Sequence, residues 1–230
     1  MNKDKLEKFK FNENTMSEKV MNFLGMKSKQ EKEFKKMFPE TPYFINDLLE
    51  WWINSYLEKK VEGNYFMPGL AKTTESKEEY IDYALSEIGY KFRNIYIDFA
   101  HEGKSESNCQ EFSVRLRDIY NRFLEKIDVN QQAFLVHGRF KGKLSSLTHH
   151  WVTIGDKSSD ISSVEKLKNN TIYDGTIDQF KNIEGLEFHQ RTRISDLKFA
   201  TINRESDLRE LYEWREIYPA PKKYFQEENK

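Results

Sequence analysis

Apolar residues at Phe112, Leu116, Ile119, Tyr120, Phe123, Leu124 and Ile127 recur at the interval of one helical face and predict an amphipathic helix. Ser107 or Asn108 suits its N-cap, which puts Cys109 in the first turn. Upstream, Ile45, Leu48, Leu49, Trp52, Ile53, Tyr56 and Leu57 predict an apolar helix from Phe44 to Leu57, with Thr41 as cap and Pro42 in its first turn. Ile81, Ala84, Leu85 and Ile88 predict another from about Glu75 to Tyr90, with Thr73 and Glu75 suiting its start. Residues 92–100 read as its continuation or as a strand, with helix preferred. Gly63 to Thr74, with Pro68-Gly69, reads as a loop, and Met16, Val20, Phe23 and Leu24 as a short helix stopped by Gly25.

After Ile127 the pattern changes. Ala133 to Val136, Leu147 to Ile154, Thr171 to Tyr173 and Leu197 to Ile202 are short, β-branched or aromatic runs separated by Gly, Ser, Asn and Lys. They predict the strands of one antiparallel sheet. Lys157 to Asn170 is a polar insertion with room for a helical turn, and Ser206 to Trp214 reads as a closing amphipathic helix. Helices first and sheet second make the class α+β. The expected organisation is a mildly basic arm over 1–40, a domain over 41–218 and a charged tail over 219–230.

Composition narrows the possibilities. A chain of 230 residues suits one domain or a domain with an appendage, and 14% aromatic residues supply a packed core despite 33% charged ones. A net charge of −1 gives no reason to expect nucleic acid or an anionic membrane as partner. The charged start, Met1 to Lys8, lacks a signal-peptide core, so the expected location is the cytoplasm or a route out that needs no cleavable signal. The single cysteine excludes an intramolecular disulfide and a cysteine-based metal cage.

That cysteine is followed 40 residues on by His149, and 25 further by Asp174, the order of a Cys-His-Asp triad. A thiol attacks as thiolate, and both a helix N-terminus and a nearby imidazolium favour that form. The backbone N–H at a helix start can also donate to an oxyanion. Alternation along the second strand puts His149 and Trp151 on one face and His150, Val152 and Ile154 on the other. The second face is the more apolar and is expected to meet the core, which turns His149 toward the cysteine. His150 stays open as the alternative histidine, and Asp178 as the alternative carboxylate. Asn108 and Trp151 are candidate substrate contacts; Glu111 suits a cap or ion pair, and His101, His137 and His189 suit the surface.

Cys109-Gln110-Glu111-Phe112-Ser113 resembles the Cys-x-acid-aromatic-small segment of transglutaminase-like proteins. Ala133-Phe134-Leu135-Val136-His137-Gly138 is similar to the strand and glycine that the family places after that helix. His149-His150-Trp151-Val152 resembles its His-Ala-Trp-Val strand, and Asp174-Gly175-Thr176 its Asp-Pro-Thr. Asn108-Cys109-Gln110-Glu111 also resembles the start of papain-like bacterial effectors and toxins that deamidate or cleave host proteins. The likeness covers about residues 105–180. It departs at His150, where the family has a small residue, at Gly175, where it has proline, and in a longer stretch between histidine and aspartate.

The resemblance implies a transglutaminase/papain-like domain with additional N-terminal helices. It implies Cys109 as nucleophile, His149 as base and acid, and Asp174 as its orienter, with no metal or cofactor. The implied reaction is acyl transfer from a protein carboxamide through a thioester, ending in deamidation or transglutamination. A cysteine peptidase uses the same triad, and a non-catalytic binding scaffold the same fold. The expected partner is a protein or peptide substrate, with the N-terminal helices available for docking.

Overall fold

The computed structural model describes residues 60–61, 64–67, 72–99, 108–141, 146–158, 164–180 and 199–219. The expected arm, the helix over 44–57, His101 and His189 lie outside them. The described residues fall into two compact units, 60–99 in one and 108–219 in the other.

In the first unit, strands β1 (Lys60–Val61), β2 (Asn64–Met67) and β3 (Lys72–Thr74) pair antiparallel in that order. Part of the expected loop over 63–74 is thus sheet, as Tyr65, Phe66, Thr73 and Thr74 suit strands. Helix α1 (Lys77–Arg93) starts two residues later than expected, because Ser76 caps it. Ser76 Oγ accepts from the Glu79 N–H at 3.1 Å. Glu79 does not reach back to complete a capping box; its carboxylate takes bonds from Lys72 Nζ and Thr74 Oγ1, both at 2.6 Å. Tyr80, Ile81, Ala84, Leu85, Ile88 and Phe92 form the buried stripe of α1, which runs on into a π-helical segment, Asn94–Phe99.

The second unit is built on helix α2 (Cys109–Lys126) and strands β4 (Gln131–Lys141), β5 (Ser146–Asp156), β6 (Ile172–Asp174), β7 (Ala200–Ile202) and β8 (Tyr212–Pro219). A short helix, α3 (Val164–Leu167), lies in the polar insertion, and 3-10 turns span Ile177–Phe180 and Asp207–Leu211. The strands form one antiparallel sheet of order β7-β6-β5-β4-β8. The chain is α+β.

The expected closing helix over 206–214 is a 3-10 turn followed by β8. Tyr212, Trp214 and Ile217 point into the core while Arg215 and Glu216 face water, the half-buried pattern of an edge strand. Pro219 ends it opposite Phe134, where a strand edge tolerates a residue without an N–H. β8 meets β4 across a bulge at His137/Gly138.

The apolar stripe of α2 is buried as its spacing predicts, and each large side chain removed from water contributes roughly 1.5–3 kcal/mol. The helix ends in a Schellman motif. Asp128, at φ 51°, takes the left-handed position, its N–H reaches Glu125 O at 3.0 Å and Val129 N–H reaches Leu124 O at 3.4 Å. That stop turns the chain directly into β4.

Candidate active site

A second stripe on α2, polar and spaced by four, fixes where the helix starts. Ser113 Oγ donates to His150 O on β5 at 3.0 Å, Arg117 Nη1 to Pro219 O on β8 at 3.1 Å, and Asn121 clamps Ala133 on β4 through both its N–H (2.8 Å) and its C=O (3.1 Å). All three side chains are buried, so these bonds are made away from water, where an unmade one would be costly. Cys109 is the next position on the same stripe. It occupies the first residue of the helix, with Asn108 at the cap position. The first intrahelical bond is Phe112 N–H to Asn108 O, 2.9 Å, so the Cys109 N–H has no acceptor within the helix.

His149 and Asp174 form a buried pair. His149 Nε2 is 2.7 Å from Asp174 Oδ2, and neither side chain has exposed surface. Tyr212 donates its hydroxyl to the same oxygen at 2.7 Å. Asp174 Oδ1 accepts from the Thr176 N–H at 2.9 Å and from Thr176 Oγ1 at 3.3 Å. Burial alone would push Asp174 up; the His149 charge and hydrogen bond, then Thr176 and Tyr212, outweigh it and hold the carboxyl below its usual range. Burial would likewise push His149 down, but the Asp174 charge and hydrogen bond raise it to about 9, with Cys109 adding to the effect. Burial, then the Asp174 charge, keep the Tyr212 phenol protonated and donating.

The other His149 nitrogen, Nδ1, lies 3.0 Å from Gln179 Nε2. This is the pairing of the neutral Nε2–H tautomer; for the imidazolium the Gln179 amide must turn to present its oxygen. Gln179 reaches this place because β6 pairs with β5 only at Val152 and Thr153. The segment leaving β6, from Asp174 to Gln179, folds beside the imidazole instead. Gly175 is required there, since a Cβ would lie 2.2 Å from the Phe112 ring.

The Cys109 thiol is half-buried and lies on the His150 side of β5. Its Sγ is 3.9 Å from His150 Nδ1. Burial pushes the thiol up, but hydrogen bonding and charge from His149, and then His150, reverse this and bring it down to about 6. The two shifts run in opposite directions, the thiol down and His149 up, and each favours the charged form of its group.

The structure brings His149 and Asp174 together and sets His150, the alternative histidine, against the Cys109 sulfur, and the faces of β5 are reversed from expectation. Tyr173, opposite Val152, packs edge-on against Tyr120 of α2 with ring centroids 5.2 Å apart, so the helix covers the face of His150 and Val152. His149 and Trp151 lie on the opposite face. Alternation misassigned the faces because both are covered: Phe140, Phe180, Tyr212 and Trp214 fill the His149 side. Trp151, expected as a substrate contact, has no exposed surface and packs between Tyr212 and Trp214. Asn108 holds the cap position of α2, next to Cys109 in the chain. Asp178 lies in the 3-10 turn, and the carboxylate bonded to His149 Nε2 is Asp174. Glu111 pairs with Arg115 at 3.0 Å, as expected of a helix-surface carboxylate.

Sequence reasoning missed Tyr212, Gln179 and Thr176. The alternation of Tyr212, Trp214 and the later Ile217 was the available signal for the first; side-chain bonds of the other two leave no periodic trace. Among the described residues no group of three or more His, Cys, Asp or Glu side chains is arranged to hold a metal ion, and no helix is long and apolar enough to cross a membrane. No protein-family model, curated protein or solved structure matches the chain.

Proposed function

We propose that this chain is a thiol-dependent acyltransferase or hydrolase of the transglutaminase/papain-like kind, acting on a carboxamide of a protein or peptide. The observation that carries this reading is the half-buried Cys109 at the start of α2, with His150 Nδ1 3.9 Å from its sulfur and the buried His149–Asp174 pair at the neighbouring position of β5. A thiol whose titration is shifted by neighbouring histidines is a candidate nucleophile. The order of helix, histidine strand and aspartate strand supports the same fold assignment.

In the reaction proposed, the Cys109 thiolate attacks the carboxamide carbon, and the oxyanion is met by the Cys109 N–H. The C–N bond breaks, ammonia leaves with a proton from the site, and a thioester remains. Water then gives the acid and restores the thiol; a primary amine in its place gives a new amide. Asp174 keeps His149 oriented and charged throughout.

Mass spectrometry of glutamine-rich peptides incubated with the protein, with and without a primary-amine probe, tests this. The expected result is amide-to-acid exchange or amine incorporation at glutamine, absent with Cys109→Ala. Backbone fragments in place of side-chain changes establish a peptidase, and unchanged peptides with every substrate and probe count against the reading.

A further inference from the structure

The two neighbouring histidines of β5 differ in their surroundings, and the Cys109 sulfur lies against the second. His149 is fully buried, with Asp174 on one nitrogen and Gln179 on the other. His150 is only partly buried, with Nδ1 turned to Cys109 Sγ. His150 also ends a row across the sheet: Glu216 on β8 stands opposite His137 on β4, which stands opposite His150 on β5. His137 Nδ1 lies 3.3 Å from Glu216 Oε2, and the two imidazoles stack with centroids 4.8 Å apart and planes 19° from parallel. The stack fixes the His150 ring from one side, and the Ser113 bond to its carbonyl fixes its backbone.

A group that gives a proton to a departing amine, and takes one from an incoming nucleophile, must reach both within hydrogen-bond distance or through one water. A histidine with no exposed surface and both nitrogens engaged is poorly placed for that exchange. A partly exposed histidine beside the sulfur is well placed. We propose that His150 is an acid–base residue of this site, protonating the leaving amine and deprotonating the water or amine that attacks the thioester, while His149 stays in its buried pair with Asp174. The inference rests on the acyl-transfer reading and assigns its proton work to His150. In the first half-reaction His150–H⁺ yields its proton as the C–N bond breaks; in the second the neutral ring takes a proton as the new C–O or C–N bond forms and the C–S bond breaks.

The test uses 4-nitrophenyl acetate, whose rapid burst reports acetylation of Cys109 and whose steady rate reports hydrolysis of the acetyl-thioester. In His150→Ala the burst is expected to persist while the steady rate falls about 100-fold, the usual scale of acid–base catalysis. Added imidazole is expected to restore a large part of it, because the vacated site is open to solvent. His150→Gln, which keeps a polar side chain in place, is expected to show the same loss and so separates proton transfer from packing. Steady rates equal to the parent's in both variants overturn the assignment and leave the acyl-transfer reading standing. A parent with no burst overturns both.

Discussion

Asp174→Asn is expected to lower the acyl-transfer rate by about 10³–10⁴-fold, the scale on which an orienting carboxylate contributes to a histidine-dependent nucleophile. Asp174 Oδ2 accepts from both His149 and Tyr212, and Oδ1 accepts from the Thr176 N–H. An amide has one acceptor oxygen, so one side must fail. With the NH₂ toward His149, Nε2 becomes the acceptor and Nδ1 carries the proton, so the ring is locked in the other neutral tautomer and loses its charge partner. With the NH₂ toward Thr176, two donors face one another. Rates with the glutamine peptides check the loss, and a rate within threefold of the parent counts against the pair.

The same variant carries a pH signature. The folded pKa of Asp174 is depressed, so its stabilisation is present above the unfolded value near 3.9 and is lost as pH falls through the folded value. His149 is raised to about 9, so its share is fully present below about 6.5 and is lost as pH rises through 9. The stability gap between the parent and Asp174→Asn is therefore expected to be widest between about pH 4 and 6.5.

Gly138→Ala is expected to cost about 3 kcal/mol, the upper part of the usual range for overpacking a core. A Cβ there would lie 2.1 Å from the Glu213 carbonyl oxygen and 2.5 Å from Trp151 Cη2. The backbone contact cannot be relieved by a rotamer change. Gly138 stands opposite both His149 and Trp214, so the displacement falls on the strand that carries the histidine. Urea unfolding measures it: a lower midpoint at unchanged slope fits, and an unchanged midpoint does not.

What the sequence disclosed follows from how locally each feature is specified. The stripe from Phe112 to Leu124 declares α2 and places Cys109 in its first turn, because helical burial repeats within a few residues. The spacing of Cys109, His149 and Asp174 could be read because each sits at the start of, or within, a regular element. The choice of face for His149 could not, since β5 is buried on both sides near its middle and alternation then carries no information. Tyr212 was hidden for a related reason. Its strand borrows its pattern from a bulge and from distant partners, so Ser206 to Trp214 passes for a helix until β4 is placed beside it. The polar stripe of Ser113, Arg117 and Asn121 is visible at spacing four, yet only its strand partners show that it is buried.

The measurement closest to the central claim is the pH dependence of Cys109 alkylation by a small neutral reagent, which reports one site because the chain has one cysteine. The parent is expected to reach half its limiting rate near pH 6, and His149→Ala to move that midpoint upward toward the ordinary thiol. A parent that titrates near pH ~8.5, with the same midpoint in His149→Ala, would contradict the thiolate–imidazolium pair and leave a non-catalytic scaffold as the better reading.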